Sequence, residues 1–312
     1  MKICMVRDYL APAKDSMGAE RIMEALAKVF MSVGCEVVLK IDPSSVTNLA
    51  PVVTDIPKDC DIIHFNQIDC TLDHDQYGIP WVGTCYGGGM EQDPKFLSFV
   101  RGNPHIVCVS KFVSDRLGCP TYIWNPSDPD QFVYRDKKDN YFLWIAGTDW
   151  GEDKGLFTTI RIAKKLRLNL KIAGTGKNPQ IIEIIKSMCN DKITYVGAVN
   201  GKEKADLIAG AKALFVLTRL PDACPTVVGE SMLSGTPVIA SVNGSMPELI
   251  EDGLNGYTCK SESDICRAIL NISKINPWTC RDIGIEEFNS NFAAETYLQY
   301  FENMINFGKL TK

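Results

Sequence analysis

Short apolar segments alternate with amphipathic segments of helix length along nearly the whole chain of 312 residues. This alternation constrains the fold more than any other feature, because strands separated by helices form parallel sheets that the helices cover. The strand segments run from KICMV near the amino terminus to PVIAS at 237–241. The sequence therefore predicts an α/β protein, and its length suggests about two domains.

A polar run, RDKKDN at 135–140, separates two similar series of strands and predicts the linker. We expect an amino-terminal Rossmann-like domain over residues 1–135 and a second such domain over 136–290. The remaining segment, 291–312, is amphipathic and rich in aromatic residues, so it needs another surface to cover it. We expect it to form a helix that packs back on the first domain. Ligands of such sheets bind beyond the carboxyl ends of the strands, which predicts a cleft between the two domains.

The composition argues against several classes of protein. A net charge of -5 provides no basic face for nucleic acid. The chain has no run of 18 apolar residues and begins with a strand-like segment, so we expect a cytoplasmic protein without a transmembrane segment. Contact with a membrane surface stays open. The 12 cysteines are scattered through apolar strands without a C-x-x-C pair, which favours reduced core residues over disulfides or zinc ligands.

The segment 222–256 combines two acids with a helix start. Asp222 and Glu230 lie eight positions apart, and a helix is predicted to begin between them at Thr226 and Val227. The first N–H groups of a helix have no partner within the helix and attract anions. The spacing therefore allows one ligand to meet both acids and an anion site. An alternative is a solvent-facing acid and a glutamate stabilised by the helix dipole.

This segment and several others resemble family 4 of the retaining glycosyltransferases, which have the two-domain GT-B fold. The resemblance covers most of the chain and is strongest over 141–259. Its other matching pieces are GAER at 18–21, NPSDPDQF at 125–132, GTDWGEDKG at 147–155, IAGTGKN at 172–178 and YVGAV at 195–199. The resemblance implies a hexosyltransferase-type enzyme that moves a sugar from a nucleotide diphosphate donor to an acceptor hydroxyl. It implies retained configuration, neither metal nor cofactor, and UDP as the favoured nucleotide, while the acceptor stays unidentified.

The resemblance also implies roles for individual residues. Asp222 takes the place of the acid that contacts the donor sugar, where the family usually has glutamate, and Glu230 that of the acid that holds the ribose. Carboxylates suit both tasks because they accept paired hydrogen bonds from vicinal hydroxyls. Lys154 matches the lysine that binds the donor phosphates. Thr148 stands where the family carries an arginine with the same role, and we count it among the donor-binding residues. Arg219 is our candidate to replace that missing charge.

Three weaker matches complete the predicted site. Gly18 opens a helix after the first strand, where its backbone can approach the donor phosphate. Gly197 and Val199 are expected to contact the base through backbone atoms. His64 ends a strand where the family often carries a histidine that faces the acceptor, although a structural histidine explains it equally well. The glycine-rich loop at 83–90 predicts an acceptor loop, a lid or a plain surface loop.

Two D-x-D triplets, DHD at 73–75 and DPD at 128–130, are of the type that binds metal in glycosyltransferases of another fold. The first follows no clear strand and the second fits the family's interdomain pattern, so we expect no metal site. Two rival functions remain. One is a nucleotide-sugar-binding protein without transferase activity, suggested by Thr148 and Asp222. The other is a sugar-nucleotide 2-epimerase, which shares the two-domain arrangement.

Overall fold

A computed structural model of the protein describes residues 1–9, 11, 18–87 and 93–310, without the side chains of 308–310. The chain forms two compact units. The first contains Met1–Ser127 together with Asn289–Lys312, and the second contains Asp128–Phe288. Each unit has a six-stranded parallel sheet with helices, which confirms the α/β fold predicted from the alternation.

The first unit is built on one parallel sheet. Its strands are β1 (Lys2–Val6), β2 (Glu36–Lys40), β3 (Ile62–Phe65), β4 (Trp81–Cys85), β5 (Ile106–Cys108) and β6 (Thr121–Tyr122). Their order across the sheet is β2-β1-β3-β4-β5-β6. The helices are α1 (Gly18–Ser32), α2 (Pro94–Val100), α3 (Lys111–Leu117) and, from the far end of the chain, α11 (Ser290–Leu310). A 3₁₀-helix covers His74–Tyr77.

Helix α11 completes the core of the first unit. Its buried face includes Tyr297 and Phe301, which belong to the same apolar cluster as the residues of β1 and α1. The ring of Phe301 lies 5.8 Å from that of Phe30 on α1. The helix thus covers its apolar face in the way that the amphipathic pattern of the last segment predicted.

The second unit repeats the plan. Its strands are β7 (Phe142–Ile145), β8 (Leu170–Ala173), β9 (Ile193–Gly197), β10 (Leu214–Val216), β11 (Val238–Ser241) and β12 (Gly256–Cys259), in the order β12-β11-β10-β7-β8-β9. The helices are α4 (Leu156–Leu166), α5 (Pro179–Met188), α6 (Gly201–Gly210), α7 (Thr226–Leu233), α8 (Met246–Leu249), α9 (Glu262–Asn271) and α10 (Pro277–Phe288). 3₁₀-helices cover Pro129–Gln131, Thr148–Trp150 and Ile272–Lys274.

Local signals in the sequence set several helix ends. The side chain of Ser110 accepts a hydrogen bond from the backbone N–H of Val113 at 3.2 Å and so caps the start of α3. The same helix ends at Gly118, whose φ of 68° places it in the left-handed region that glycine tolerates. Ser261 and Asp264 form a reciprocal capping box at the start of α9.

The polar run at 135–140 is anchored in the second unit, which corrects its expected role as the linker. The Lys138 ammonium is largely buried and donates hydrogen bonds to Ala209 O at 2.9 Å, Ser234 O at 3.1 Å and Thr236 Oγ1 at 3.0 Å. Burial without a carboxylate partner among these contacts lowers the pKa of Lys138 to about 8. The polar run therefore lies within the second unit, which begins at Asp128.

Within the described part of the chain, no helix is both long enough and apolar enough to cross a membrane. All twelve cysteines are free thiols. Several of them, such as Cys4 on β1 and Cys108 on β5, are fully buried in the first unit, as expected for residues that fill a core.

Helices α7 and α10 approach each other closely through two glycines. A Cβ on Gly284 would lie 2.7 Å from the backbone nitrogen of Leu233 and 2.7 Å from the carbonyl carbon of Met232. A Cβ on Gly229 of α7 would lie 2.9 Å from the ring of Phe288. Because backbone atoms cannot rotate away as a side-chain tip can, this contact requires glycine at 284.

Replacing Gly284 by alanine should therefore destabilise the second unit by about 1–3 kcal/mol, since the helices must move apart to admit one methyl group. Thermal and urea unfolding of the full chain would measure the loss. Asp282→Ala, at an exposed position of the same helix, is the matched control and should change stability by less than about 0.5 kcal/mol. Equal stability of the two variants would contradict the packing described for α7 and α10.

Candidate active site

The second sheet has a topological switch point between β7 and β10. The chain runs outward from β7 to β8 and β9, and then returns to place β10 on the other side of β7. In open parallel sheets, ligands bind at the carboxyl ends of the strands at such a point. The loops that follow β7 and β10 are therefore where a ligand site is expected.

These two loops are pressed against each other at Gly155. This glycine has a φ of +72°, and a Cβ on it would lie 1.9 Å from the carbonyl oxygen of Leu217, the residue after β10. Only glycine fits so close an approach and adopts this backbone conformation without strain. The contact fixes the preceding residue, Lys154, beside the exit of β10.

Lys154 forms an ion pair with Asp222 across the two loops. Its ammonium donates a hydrogen bond to Asp222 Oδ2, and the side chains are 37% and 15% exposed. The loop after β11 fixes the backbone of Asp222: the N–H of Ser245 donates to Asp222 O at 2.9 Å. A Cβ on Gly244 would lie 2.3 Å from the backbone nitrogen of Asp222. The structure thus brings together two of the predicted site residues at the switch point.

Helix α7 follows the Asp222 loop and carries the other predicted acid. Its first residues, Thr226 and Val227, are half-buried, and among the described residues no side chain caps this end of the helix. Their N–H groups are therefore available to an anion, as the sequence predicts. Glu230 lies one turn further along α7 and is only 1% exposed.

Lys204, a residue that sequence reasoning missed, contacts the Glu230 carboxylate. Its ammonium lies 3.0 Å from Oε1 and 2.8 Å from Oε2, and the two side chains are 8% and 1% exposed. Lys204 belongs to α6, four residues before the buried Ile208. Because residues four apart share a helix face, a lysine on the apolar face of α6 was a signal in the sequence.

Arg219 lies in the same loop as Asp222 but has its own acidic partner. Its guanidinium pairs with Glu152, and the two side chains are 60% and 56% exposed. Its backbone N–H donates to Asp153 O at 2.7 Å, which ties the loop after β10 to the loop after β7. Arg219 is therefore near Lys154 along these loops, and its role as a replacement for the missing arginine stays a prediction.

The prediction that Thr148 contacts the donor is corrected, because its side chain is fully buried at the carboxyl end of β7. A Cβ on Gly176 would lie only 2.5 Å from Thr148 Oγ1, so the loop after β8 covers this hydroxyl. The adjacent Asp149 joins the same two loops by accepting hydrogen bonds from the N–H groups of Lys177 and Asn178 at 2.7 and 3.0 Å. These bonds lower the pKa of the Asp149 carboxyl.

Residues 139–274 match the family described as Glycosyl transferases group 1. The match lies within the second unit and covers less than half of the chain. The matched segment contains Lys154, Lys204, Asp222 and Glu230, and therefore the Lys154–Asp222 and Lys204–Glu230 ion pairs. The glycosyltransferase pattern recognised in the sequence is thereby confirmed over this segment.

Comparison of the whole chain supports the same fold. The uncharacterized glycosyltransferase MJ1178 of Methanocaldococcus jannaschii is 26% identical over 201 residues, which is 61% of this chain and 56% of the relative. The crystal structure of AviGT4, a glycosyltransferase involved in avilamycin A biosynthesis, is 18% identical, covers 98% of both chains and has a TM-score of 0.75.

Anabaena HepE in complex with UDP is 13% identical, covers 97% of this chain and all of its own, and has a TM-score of 0.78. At these identities the two solved structures establish the GT-B fold alone. The chain spans about half the length of two curated relatives that it matches, 48% of one and 56% of the other.

The remaining predicted site residues of the second unit, Gly197 and Val199, lie at the end of β9. Gly197 has a φ of +80° with open space on its Cβ side, and its carbonyl accepts a hydrogen bond from the N–H of Gly174 at 2.7 Å. Val199, two residues on, is buried. Both lie at the carboxyl side of the same sheet as Lys154, and their contact with a base stays a prediction.

Two predicted features belong to the first unit. Gly18 is the first residue of α1, while Met17 before it lies outside the described residues. In the glycine-rich loop, Gly87 is described and has a φ of +71°, whereas Gly88 and Gly89 lie outside the described residues. The role of this loop stays a prediction.

The acceptor-facing role predicted for His64 is corrected, because the structure places this histidine in the core under α11. The side chain is 0% exposed, and its Nε2 lies 2.9 Å from Thr84 Oγ1. Its ring centroid is 4.9 Å from that of Tyr297 and 5.4 Å from that of Phe301. Burial lowers the pKa of His64 to about 3, so the ring is neutral at physiological pH. His64 is a structural residue in this core.

The depressed pKa of His64 predicts an acid-dependent loss of stability. The unfolded chain binds a proton on this ring below about pH 6.5, whereas the folded chain does so only below about pH 3. The contribution to stability is therefore complete above pH 6.5 and declines by about 1.4 kcal/mol for each pH unit between these values.

Urea unfolding of wild type and His64→Gln between pH 6.5 and 4 tests this expectation. Glutamine keeps an amide that can reach Thr84 but does not titrate. The free energy of unfolding should fall more steeply with decreasing pH in wild type than in the variant. Parallel slopes would show that His64 does not bind protons differentially and would contradict its burial.

Both D-x-D triplets are used in local structure. Asp73 and Asp128 each accept a hydrogen bond from the N–H two residues further on, at 3.1 Å in both cases, and so cap 3₁₀-helices. Asp75 accepts a hydrogen bond from the indole of Trp81 at 2.8 Å. Over the described ranges, no three His, Cys, Asp or Glu side chains come together as a metal site.

Proposed function

We propose that the protein is a retaining glycosyltransferase that moves a sugar from a nucleotide diphosphate donor, UDP-sugar in the first place, to an acceptor hydroxyl without a metal ion. The observation that carries this proposal is the Lys154–Asp222 pair at the switch point of the second unit, directly before the uncapped start of α7. This arrangement offers a cation, free N–H groups and a carboxylate within one connection, which are the groups that a sugar diphosphate needs.

In the proposed reaction, the acceptor oxygen attacks the anomeric carbon on the face from which the diphosphate departs. The bond between the anomeric carbon and the phosphate oxygen breaks, and the acceptor proton passes to a phosphate oxygen. The products are a glycoside of retained configuration and a nucleoside diphosphate. Lys154 and the N–H groups of Thr226 and Val227 stabilise the charge that develops on the diphosphate. Asp222 and Glu230 accept hydrogen bonds from the sugar and ribose hydroxyls.

The choice of UDP draws on a structural relative. HepE, which shares the fold, has been crystallised with UDP and with UDP-glucose. The end of β9, where Gly197 and Val199 lie, offers backbone atoms rather than side chains to a base, so the sequence of this edge does not select one base over another. UDP-sugars are therefore the first donors to test, followed by GDP- and ADP-sugars.

A nucleotide-sugar-binding protein without transferase activity is the second candidate. Two observations favour it: Thr148 is a buried neutral residue where the resemblance expects an arginine, and Arg219 is paired with Glu152. Both reduce the positive charge that can stabilise a departing diphosphate. Such a protein would bind the donor and release no nucleotide.

Nucleotide release from a panel of UDP-, GDP- and ADP-sugars with mixed acceptors, in the presence of EDTA, tests the transferase directly. We expect release in wild type, and a fall of kcat/KM by about 100-fold or more in Lys154→Ala, because a positive charge at the leaving group is lost. Lys186→Ala, an exposed lysine of α5 paired with Glu183, is the control and should keep full activity.

The same panel separates the candidates by thermal shift. A donor at 100 times its dissociation constant stabilises the fold by about 2.7 kcal/mol. Stabilisation without release under any acceptor mixture would favour the binding protein. Interconversion of donor epimers without acceptor would instead indicate a 2-epimerase, and release that requires added Mg²⁺ would contradict the metal-independent reaction.

The ion pair predicts that Asp222→Asn has opposite effects on two ligands. The Asp222 carboxylate forms an ion pair with the Lys154 ammonium. A diphosphate that binds Lys154 must therefore displace the Asp222 carboxylate. Asparagine removes that competing charge, and affinity for the free nucleoside diphosphate should rise about three- to fivefold, the range expected for a partly exposed ion pair. Sugar transfer should fall, because an amide is a weaker acceptor for the sugar hydroxyls.

Isothermal titration with the nucleoside diphosphate, beside the release assay, measures both effects. Lys154→Ala should lower the affinity for the same nucleotide, which provides the reciprocal control. Weaker nucleotide binding in Asp222→Asn than in wild type would contradict the displacement of Asp222 by the diphosphate.

A further inference from the structure

Lys204 and Glu230 form a buried ion pair between α6 and α7. The ammonium lies 3.0 and 2.8 Å from the two carboxylate oxygens, and neither side chain is more than 8% exposed. Removing both charges from water is unfavourable, and an apolar pair of similar volume often stabilises a fold as well or better. Stability alone therefore gives a weak reason for a lysine and a glutamate at these positions.

A half-buried lysine in the same unit, Lys138, shows the contrast. The Lys138 ammonium donates to two backbone carbonyls and one threonine hydroxyl, all of them neutral, and so joins α6 to the end of α7. Lys204 instead contacts a carboxylate. That carboxylate belongs to Glu230, which the proposed function places against the ribose of the donor.

We infer that Lys204 is a positioning residue that fixes the Glu230 carboxylate so that it accepts hydrogen bonds from the ribose hydroxyls and thereby selects ribonucleotides. This inference rests on the proposed function. A carboxylate has about four acceptor positions, so an ammonium that bridges both oxygens does not exhaust them. Hydrogen bonds to a carboxylate are also stronger than those to a neutral acceptor.

Discrimination between ribose and 2′-deoxyribose follows from this arrangement. A ligand without the 2′-hydroxyl leaves one acceptor position of a buried carboxylate unmatched. The wild-type protein should therefore bind a ribonucleoside diphosphate about tenfold more tightly than its 2′-deoxy counterpart, the size expected for one hydrogen bond to a charged acceptor. Lys204 never touches the ligand and acts only through Glu230.

The test is isothermal titration of UDP, GDP and ADP and of the three 2′-deoxy analogues against wild type and variants. In Lys204→Met, which keeps the length of the side chain without its charge, the preference for the ribonucleotide should fall to about twofold or less. Glu230→Gln should lose the preference to the same extent. Lys138→Met is the matched control: it also removes a lysine that joins α6 to the end of α7, and it should keep the full preference.

The double variant Lys204→Met with Glu230→Gln distinguishes a loss of ribose preference from a loss of stability. Removing one partner leaves a buried charge alone, whereas removing both should recover much of the lost thermal stability. The preference should stay lost in the recovered protein. A purely structural pair would restore the preference together with the stability, and that result would overturn the inference.

The outcomes separate the two levels of the proposal. If wild type distinguishes ribose from 2′-deoxyribose and Lys204→Met does so equally well, the positioning role is wrong while the nucleotide site stands. If Glu230→Gln retains the preference, Glu230 does not contact the ribose and the inference fails. If no nucleoside diphosphate binds wild type, the proposed function fails and this inference fails with it.

Discussion

The close contact between Gly155 and the carbonyl of Leu217 is the constraint on which the site depends. It brings the loop after β7 against the loop after β10, at the point in the second sheet where the strand order reverses. A side chain at residue 155 would separate the loops, and the ammonium of Lys154 would no longer meet the carboxylate of Asp222. The site is thus a consequence of strand order and of one glycine, before any functional group is considered.

Cations and carboxylates at this edge of the sheet are matched in pairs. Lys154 is paired with Asp222, Arg219 with Glu152, and Lys204 with Glu230. The pairs differ in exposure, and their energies differ accordingly. Water and salt screen the exposed Arg219–Glu152 pair, whereas the buried Lys204–Glu230 pair is held in a medium of lower polarity. An anionic ligand would therefore compete readily with Asp222 for Lys154 but would leave the Lys204–Glu230 pair in place.

The spacing of apolar residues along the sequence predicted most of the fold, because strands and amphipathic helices each have a characteristic spacing of buried side chains. Helix α10 was not predicted from the sequence. Its buried residues, Cys280, Gly284 and Phe288, are spaced four apart, but one of them is a glycine and adds no apolar side chain to the pattern. Strand β12 was also not predicted, because it is short, lies at the edge of the sheet and has two half-buried residues at its centre. In both cases the packing depends on close backbone approach, which residue type alone does not report.

The site residues divide in the same way. Asp222 and Glu230 were singled out by their spacing around a predicted helix start, and Lys154 by the resemblance to the glycosyltransferase family. His64 and Thr148 were misplaced because a position at a strand end does not tell whether another segment covers it. For His64 the cover is α11, from the far end of the chain, and for Thr148 it is the loop at Gly176. The sequence around a residue does not show that a distant segment of the chain will bury it.

Two lysines of the second unit, one half-buried and one buried, show that burial alone does not assign a role. Lys138 donates to three neutral oxygens, and burial lowers the pKa of its ammonium. Lys204 is buried, and it shares its charge with a carboxylate on the helix that follows the Asp222 loop. The partner rather than the exposure therefore distinguishes a lysine that joins helices from one that prepares another side chain for a ligand. The same comparison of partners can be applied to any buried ion pair that lies at the carboxyl side of a parallel sheet.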